Sequence, residues 1–165
     1  MYLQSTTMAV WAPRGQPPIV RVAPGREKTH FYGTLGLLTG REIVTRADTL
    51  NSEATAHHLE QVLAAYPGRR ILLFWDRATW HRGPAVQEVL EANPHLEVWV
   101  LPPASPDLNP QEQVWKAARR ATSHNHTVSQ LPDLADRFED YLRSTSFESS
   151  FLDRYGYKPF RSLFK

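Results

Sequence analysis

Cysteine is absent from this 165-residue chain, which excludes disulfides, thiolate metal sites and a cysteine nucleophile and permits a reducing compartment. No run of about 18 apolar residues occurs, so no membrane-spanning helix is expected. Met1-Tyr2-Leu3-Gln4 lacks the basic start and apolar core of a secretory signal. Residues 1–26 contain no Asp or Glu. The HExxH, Walker, dinucleotide-binding and nucleophile-elbow patterns are missing, which removes the commonest motif-borne chemistries. Internal repeats and low-complexity segments are absent too.

What is present is an ordinary globular composition. A hydrophobic share of 41% with 22% charged residues suits one domain with a core of its own and argues against disorder. The formal net charge of +2 is too mild to signal nucleic-acid binding by itself. The placement of the basic residues says more. Arg14, Arg21 and Arg26 fall in the acid-free N-terminal stretch, and Lys116, Arg119 and Arg120 follow Glu112 closely. Each group also reads as plain solvated surface charge.

Periodicity and breakers give an element order. His30 to Leu38 and Glu42 to Ala47 read as two strands joined at Thr39-Gly40. Asn51 or Ser52 caps a helix running to about Ala65, with Ala56, Leu59, Val62 and Leu63 on its apolar face. Ile71 to Trp75 is a continuous apolar run, as for a strand covered on both faces. A helix follows from Pro84 to Ala92, then a second buried strand from Leu96 to Leu101. Pro110 to Ser123 forms a helix with Val114, Ala117, Ala118 and Ala121 on one stripe and Glu112, Lys116 and Arg119 opposite. A last helix spans Leu131 to Ser144, followed by an aromatic, basic tail at 145–165. Strands alternating with helices predict an α/β protein with its site at strand C-terminal ends.

Two carboxylates stand out, each with a purely structural alternative. Asp76 follows an apolar strand, where it either faces the crevice beyond the sheet or closes a turn. Glu112 stands three residues after Asn109, with Pro110 between, so it either serves a site or closes a capping box onto Asn109. His81 suits a phosphate contact or a water-orienting role as well as an idle loop position. Asp107 reads as a loop cap. Trp75, Trp80 and Trp99 read as core or core rim, and Trp115 as core or base-stacking. The adjacent His57 and His58 read as surface residues.

Three blocks resemble the catalytic domain of DDE transposases, in the bacterial insertion-sequence branch of the mariner-like superfamily. Trp11-Ala12-Pro13-Arg14-Gly15-Gln16-Pro17 is similar to the family's tryptophan-glycine-proline block. Leu73 to His81 is similar to the second-aspartate block, and Leu101 to Trp115 to the block that ends in the catalytic glutamate. The resemblance implies an RNase H-like mixed sheet flanked by helices and lacking its first strand. Residues 1–125 would form the catalytic domain and 126–165 a C-terminal helix and tail. It implies Asp76 and Glu112 as catalytic residues and metal ligands for two divalent cations, Mg²⁺ or Mn²⁺, in an in-line displacement. Arg14, Arg77, His81, Lys116, Arg119 and Arg120 become DNA contacts. The implied partners are transposon terminal repeats, target DNA and a second copy of the chain, with no membrane, in a bacterial, nucleoid-associated cytoplasmic setting.

Two departures accompany the resemblance. Arg77 follows Asp76 where the family usually has asparagine. The family's first aspartate lies shortly before the Trp11 block, and no acidic residue precedes Glu27 here. The chain is therefore expected to be a transposase fragment impaired in DNA cleavage and strand transfer. The alternatives are a catalytically dead DNA-binding remnant, or an unrelated RNase H-like nuclease using Asp48. Glu42 is not promoted to first ligand.

Overall fold

The computed structural model describes residues 1, 2, 4–17, 19 and 25–147. Arg21 and most of the tail at 145–165 lie outside the described residues. The first regular elements among the described residues are an antiparallel hairpin of β1 (His30–Leu35) and β2 (Glu42–Ala47), with His30 opposite Ala47 and Leu35 opposite Glu42. β1 stops at Leu35, short of the expected Leu38. The Gly36 carbonyl accepts the N–H groups of Thr39 and Gly40, and Gly40 sits at φ 68, a left-handed position that favours glycine. This tight turn takes residues 36–41 out of the ladder.

Helix α1 (Ser52–Ala65) starts at Asn51, whose side chain accepts the Ala54 N–H. It buries Ala56, Leu59 and Val62 and packs on both hairpin strands and on α2 (Pro84–Ala92). His58 is a correction. It is buried, with Thr34 Oγ1 and Thr45 Oγ1 each 2.8 Å from a ring nitrogen. Burial holds its pKa down at about 4, so the ring is neutral and ties α1 to both strands.

The second half is a parallel pair, β3 (Ile71–Trp75) and β4 (Leu96–Val100), with Phe74 opposite Trp99. Leu59, Leu73, Val86 and Leu96 form its core with α1 and α2. Neither strand is covered on both faces: Leu72, Phe74, Trp99 and Val100 are exposed. The expected single mixed sheet thus appears, among the described residues, as two two-stranded sheets, with α1 packed against the hairpin and against α2.

On the hairpin's other face lie α3 (Gln111–Thr122) and α4 (Leu131–Ser144). Val44, Val114, Ala118, Phe138 and Leu142 make that core. The α3 stripe is Val114, Ala118 and Thr122 rather than one reaching Ala121, which is exposed. Trp115 joins the core rim, stacked on Phe138 at 6.1 Å. Near the N-terminus, the Met1 amine donates to the Thr29 carbonyl and the Thr6 carbonyl accepts the Asn125 N–H. The start of the chain thereby straps the approach to β1 to the end of α3. No described helix is long and apolar enough to cross a membrane.

Candidate active site

Parallel strands deliver their C-terminal ends to the same edge, and here that edge opens on a crevice of about 210 Å³ whose lining includes Asp76, Arg77, Asn109 and Glu112. The Leu101 N–H extends the ladder to the Trp75 carbonyl, and Arg77 Nε donates to the Leu101 carbonyl at 3.2 Å. Asp76 leaves β3 beside a wall formed by the loop after β4. Its Oδ1 accepts the Ala78 N–H at 2.9 Å, so the turn role is real and occupies one oxygen. It does not bury the carboxylate: the Asp76 side chain remains 59% exposed.

His81 backs Asp76. It stands on the short 3-10 turn Thr79–Arg82, its ring stacked on Trp75 at 4.6 Å and edge-on to Trp80. Its Nδ1 lies 3.4 Å from the Asp76 carbonyl and 3.5 Å from Asp76 Oδ1. Burial lowers the His81 pKa, and the carbonyl and charge of Asp76 pull the other way.

The loop from Pro102 to Pro110 is stiffened by prolines, which fix φ and withdraw N–H donors. Ala104 takes a left-handed φ of 52, a conformation that costs a non-glycine residue about 1 kcal/mol or more. A 3-10 turn, Pro106–Leu108, then leads into α3. Asp107 is exposed on that turn and makes no hydrogen bond among the described residues, so it caps nothing. Asn109 Oδ1 accepts the Gln111 N–H at 3.1 Å, the cap that the spacing predicts. The reciprocal half of a capping box is missing, because the Asn109 N–H is already taken by the Pro106 carbonyl. The Glu112 carboxylate makes no hydrogen bond or ion pair among the described residues and lines the crevice.

The structure therefore brings Asp76, Arg77 and Glu112 together, with His81 behind them. Lys116, Arg119 and Arg120 are exposed along α3, and no carboxylate pairs with them among the described residues. At 1.5 Å per residue they leave the crevice mouth over roughly 6–12 Å. Arg14 is exposed in a turn closed by the Gln16 N–H and the Pro13 carbonyl and is not among the crevice-lining residues. Trp11 is fully exposed, and so is much of Trp99, which is neither core nor rim. Asp48 follows β2 and is not among the residues lining the crevice, so the geometry gives the Asp48 nuclease alternative no support.

Sequence reasoning left Gln111 unnoticed. It donates from Nε2 to the buried Glu42 Oε1 at 2.5 Å. Glu42 shares the strand parity of the core residue Val44, the one sign that its side chain turns inward.

This arrangement is an RNase H-like fold. Structures of the Mos1 transposase share it: the paired-end complex with left transposon end matches with a TM-score of 0.69 at 17% identity, over 98% of this chain and 50% of that one. The isolated catalytic domain of Mos1 mariner transposase matches with a TM-score of 0.52 at 14% identity, over 81% of this chain and 76% of that one. The family model described as DDE superfamily endonuclease matches residues 2–135, and the chain belongs to that family. The insertion element IS630 uncharacterized 39 kDa protein of Shigella sonnei is 28% identical over 148 residues, 88% of this chain and 43% of that protein. Protein y4pE/y4sA of Sinorhizobium fredii is 31% identical over 85 residues, 51% of this chain and 60% of that protein. The chain thus spans about half the length of these relatives.

Proposed function

We propose that Asp76 and Glu112 are metal ligands of a transposase catalytic domain that cleaves DNA strands and joins them to new ends. The observation that carries this reading is the Glu112 carboxylate, freed of the capping role and set on the same crevice as Asp76. The donor set fits the group: two carboxylates suit a hard divalent cation such as Mg²⁺ or Mn²⁺, one of them without a protein partner. When bound, a pair of such cations supplies charge stabilisation to the attacking and leaving oxygens at phosphorus.

The chain's own residues do the remainder. Ala78 N–H and His81 hold Asp76 in place. Arg77 bridges the two strand ends and adds a positive charge at the crevice mouth. Lys116, Arg119 and Arg120 offer a basic stripe to a phosphate backbone, while Arg14 serves DNA from a separate loop. Two such chains on transposon ends and target DNA, associated with a bacterial nucleoid, complete the reading. Residues 1–125 form its catalytic part and 126–165 its C-terminal helix and tail.

Among the described residues no group of three acidic or histidine side chains gathers around a common point. Two carboxylates hold a cation weakly, so weak binding and slow cleavage are expected of this chain. Calorimetric titration with Mn²⁺, paired with a strand-cleavage assay on terminal-repeat DNA, tests both. Weak binding lost in Asp76→Asn and Glu112→Gln supports the reading. No Mn²⁺ binding by the unaltered chain favours the alternative, a catalytically dead remnant that at most binds DNA.

A further inference from the structure

Beneath the first turn of α3 sits a buried polar pair outside the crevice. Glu42 at the start of β2 is 8% exposed, and its Oε1 accepts from Gln111 Nε2 at 2.5 Å. Glu42 Oε2 and Gln111 Oε1 are both buried without a hydrogen-bond partner. Gly33 of β1 makes the space. A Cβ there would overlap Glu42 Oε1 and lie 2.6 Å from both Gln111 Nε2 and Trp115 Cη2. Such a pair is costly to bury half-satisfied, so its place directly before Glu112 calls for a reason.

We propose that Glu42 is a positioning residue for Glu112, seating the Gln111 side chain so that α3 presents its next residue to the crevice. The proposal rests on the reading of Glu112 as a metal ligand. Successive residues of an α-helix are rotated by about 100°. With Gln111 anchored inward on Glu42, and Asn109 holding the Gln111 N–H from the loop side, the rotation of the first turn is fixed at two points. Glu112 then points away from the core.

A proton on Glu42 Oε2 supplies the donor that Gln111 Oε1 lacks and makes the pair reciprocal, acid to amide. Burial favours that neutral form and raises the Glu42 pKa to about 8, against the lowering effect of the Gln111 hydrogen bond. The neighbouring charges are engaged or turned outward. Arg46 pairs with Asp136 and Glu139, and Arg143 of α4 with Glu139 and the Val44 carbonyl. Arg41 of the turn is exposed, and Glu112 and Lys116 of α3 lie off its buried face.

Two measurements on the full chain test this. In NMR, the Gln111 side-chain amide and the Gln111 and Glu112 backbone amides should titrate together near pH 8 and stay still in Glu42→Gln. A Gln111 side-chain amide that titrates while the Glu112 backbone amide stays still overturns the proposal. In Mn²⁺ titrations, Glu42→Met preserves apolar burial and approximate volume yet should lower affinity about tenfold to a hundredfold, the range for residues that orient metal ligands. Glu42→Gln, able to pair with Gln111, should bind as the unaltered chain does. Equal affinity in Glu42→Met with the melting temperature held overturns the proposal. If even the unaltered chain binds no Mn²⁺, the metal reading fails, and the NMR result alone decides whether Glu42 positions Glu112.

Discussion

Asn109 caps Gln111 but receives nothing back from Glu112. The side-chain oxygen of Asn109 accepts the Gln111 N–H, while the Asn109 N–H is held by Pro106 three residues upstream. The loop itself thus satisfies the donor that a glutamate at this position usually serves.

Glu112 should therefore be dispensable for folding. Glu112→Gln removes no internal hydrogen bond and should shift stability by less than about 0.5 kcal/mol, as for an ordinary surface substitution. Mn²⁺ binding should be lost in the same variant. Thermal melts and calorimetry of one preparation check both halves.

Asp76 should behave differently, because its Oδ1 closes a turn on Ala78. Asp76→Asn keeps an acceptor and should leave stability near the unaltered value while losing metal. Asp76→Ala should lose the metal and, in addition, about 1 kcal/mol from the broken hydrogen bond. Denaturant midpoints separate the two.

His58 and Glu42 set opposite limits on stability against pH. His58 has a folded pKa of about 4, below its ordinary 6.5. Its contribution is present above pH 6.5 and is lost as pH falls toward 4. Glu42 has a folded pKa of about 8, above its ordinary 4.5, so its contribution is complete below pH 4.5 and is lost as pH rises toward 8. The two slopes oppose each other between pH 4.5 and 6.5. From 6.5 to 8 Glu42 acts without His58, with an expected loss of about 2 kcal/mol. Denaturant unfolding across this range should show the fall, and Glu42→Gln should abolish it.

Gly33→Ala should destabilise the chain by about 1–3 kcal/mol through overpacking, since the added methyl meets Glu42, Gln111 and Trp115 at once. A double variant with Glu42→Ala should recover part of that loss, because it removes the overlapping carboxyl. Melting temperatures of the two variants give the comparison.

DNA binding should depend on α3. Replacing Lys116, Arg119 and Arg120 together with alanine should weaken binding across all DNA sequences. The slope of log affinity against log salt should fall by about one for each phosphate that is no longer neutralised. Fluorescence anisotropy at several salt concentrations measures that slope.

Much of this was legible in the chain. α2 and α4 fall where Pro84, Gly83 and the apolar periodicity place them, and α1 starts at its asparagine cap. The crevice was legible because Asp76 ends an apolar strand and Glu112 begins a helix. Strand coverage was not, because an apolar run such as Ile71 to Trp75 reads the same whether one face or both are covered. His58 was misplaced for another reason. Its adjacency to His57 drew attention, whereas its spacing from Thr55, Leu59 and Val62 set its environment. Gln111 escaped because nothing in a helix's first turn announces a partner 69 residues upstream.

The uncovered face of β3 and β4 has a practical bearing. Leu72, Phe74 and Trp99 face outward, and among the described residues each of these strands pairs only with the other. Open ladder edges beside exposed aromatic surface are templates for further strands. Protein concentration, as much as temperature, will govern how long this chain stays dispersed during purification and assay.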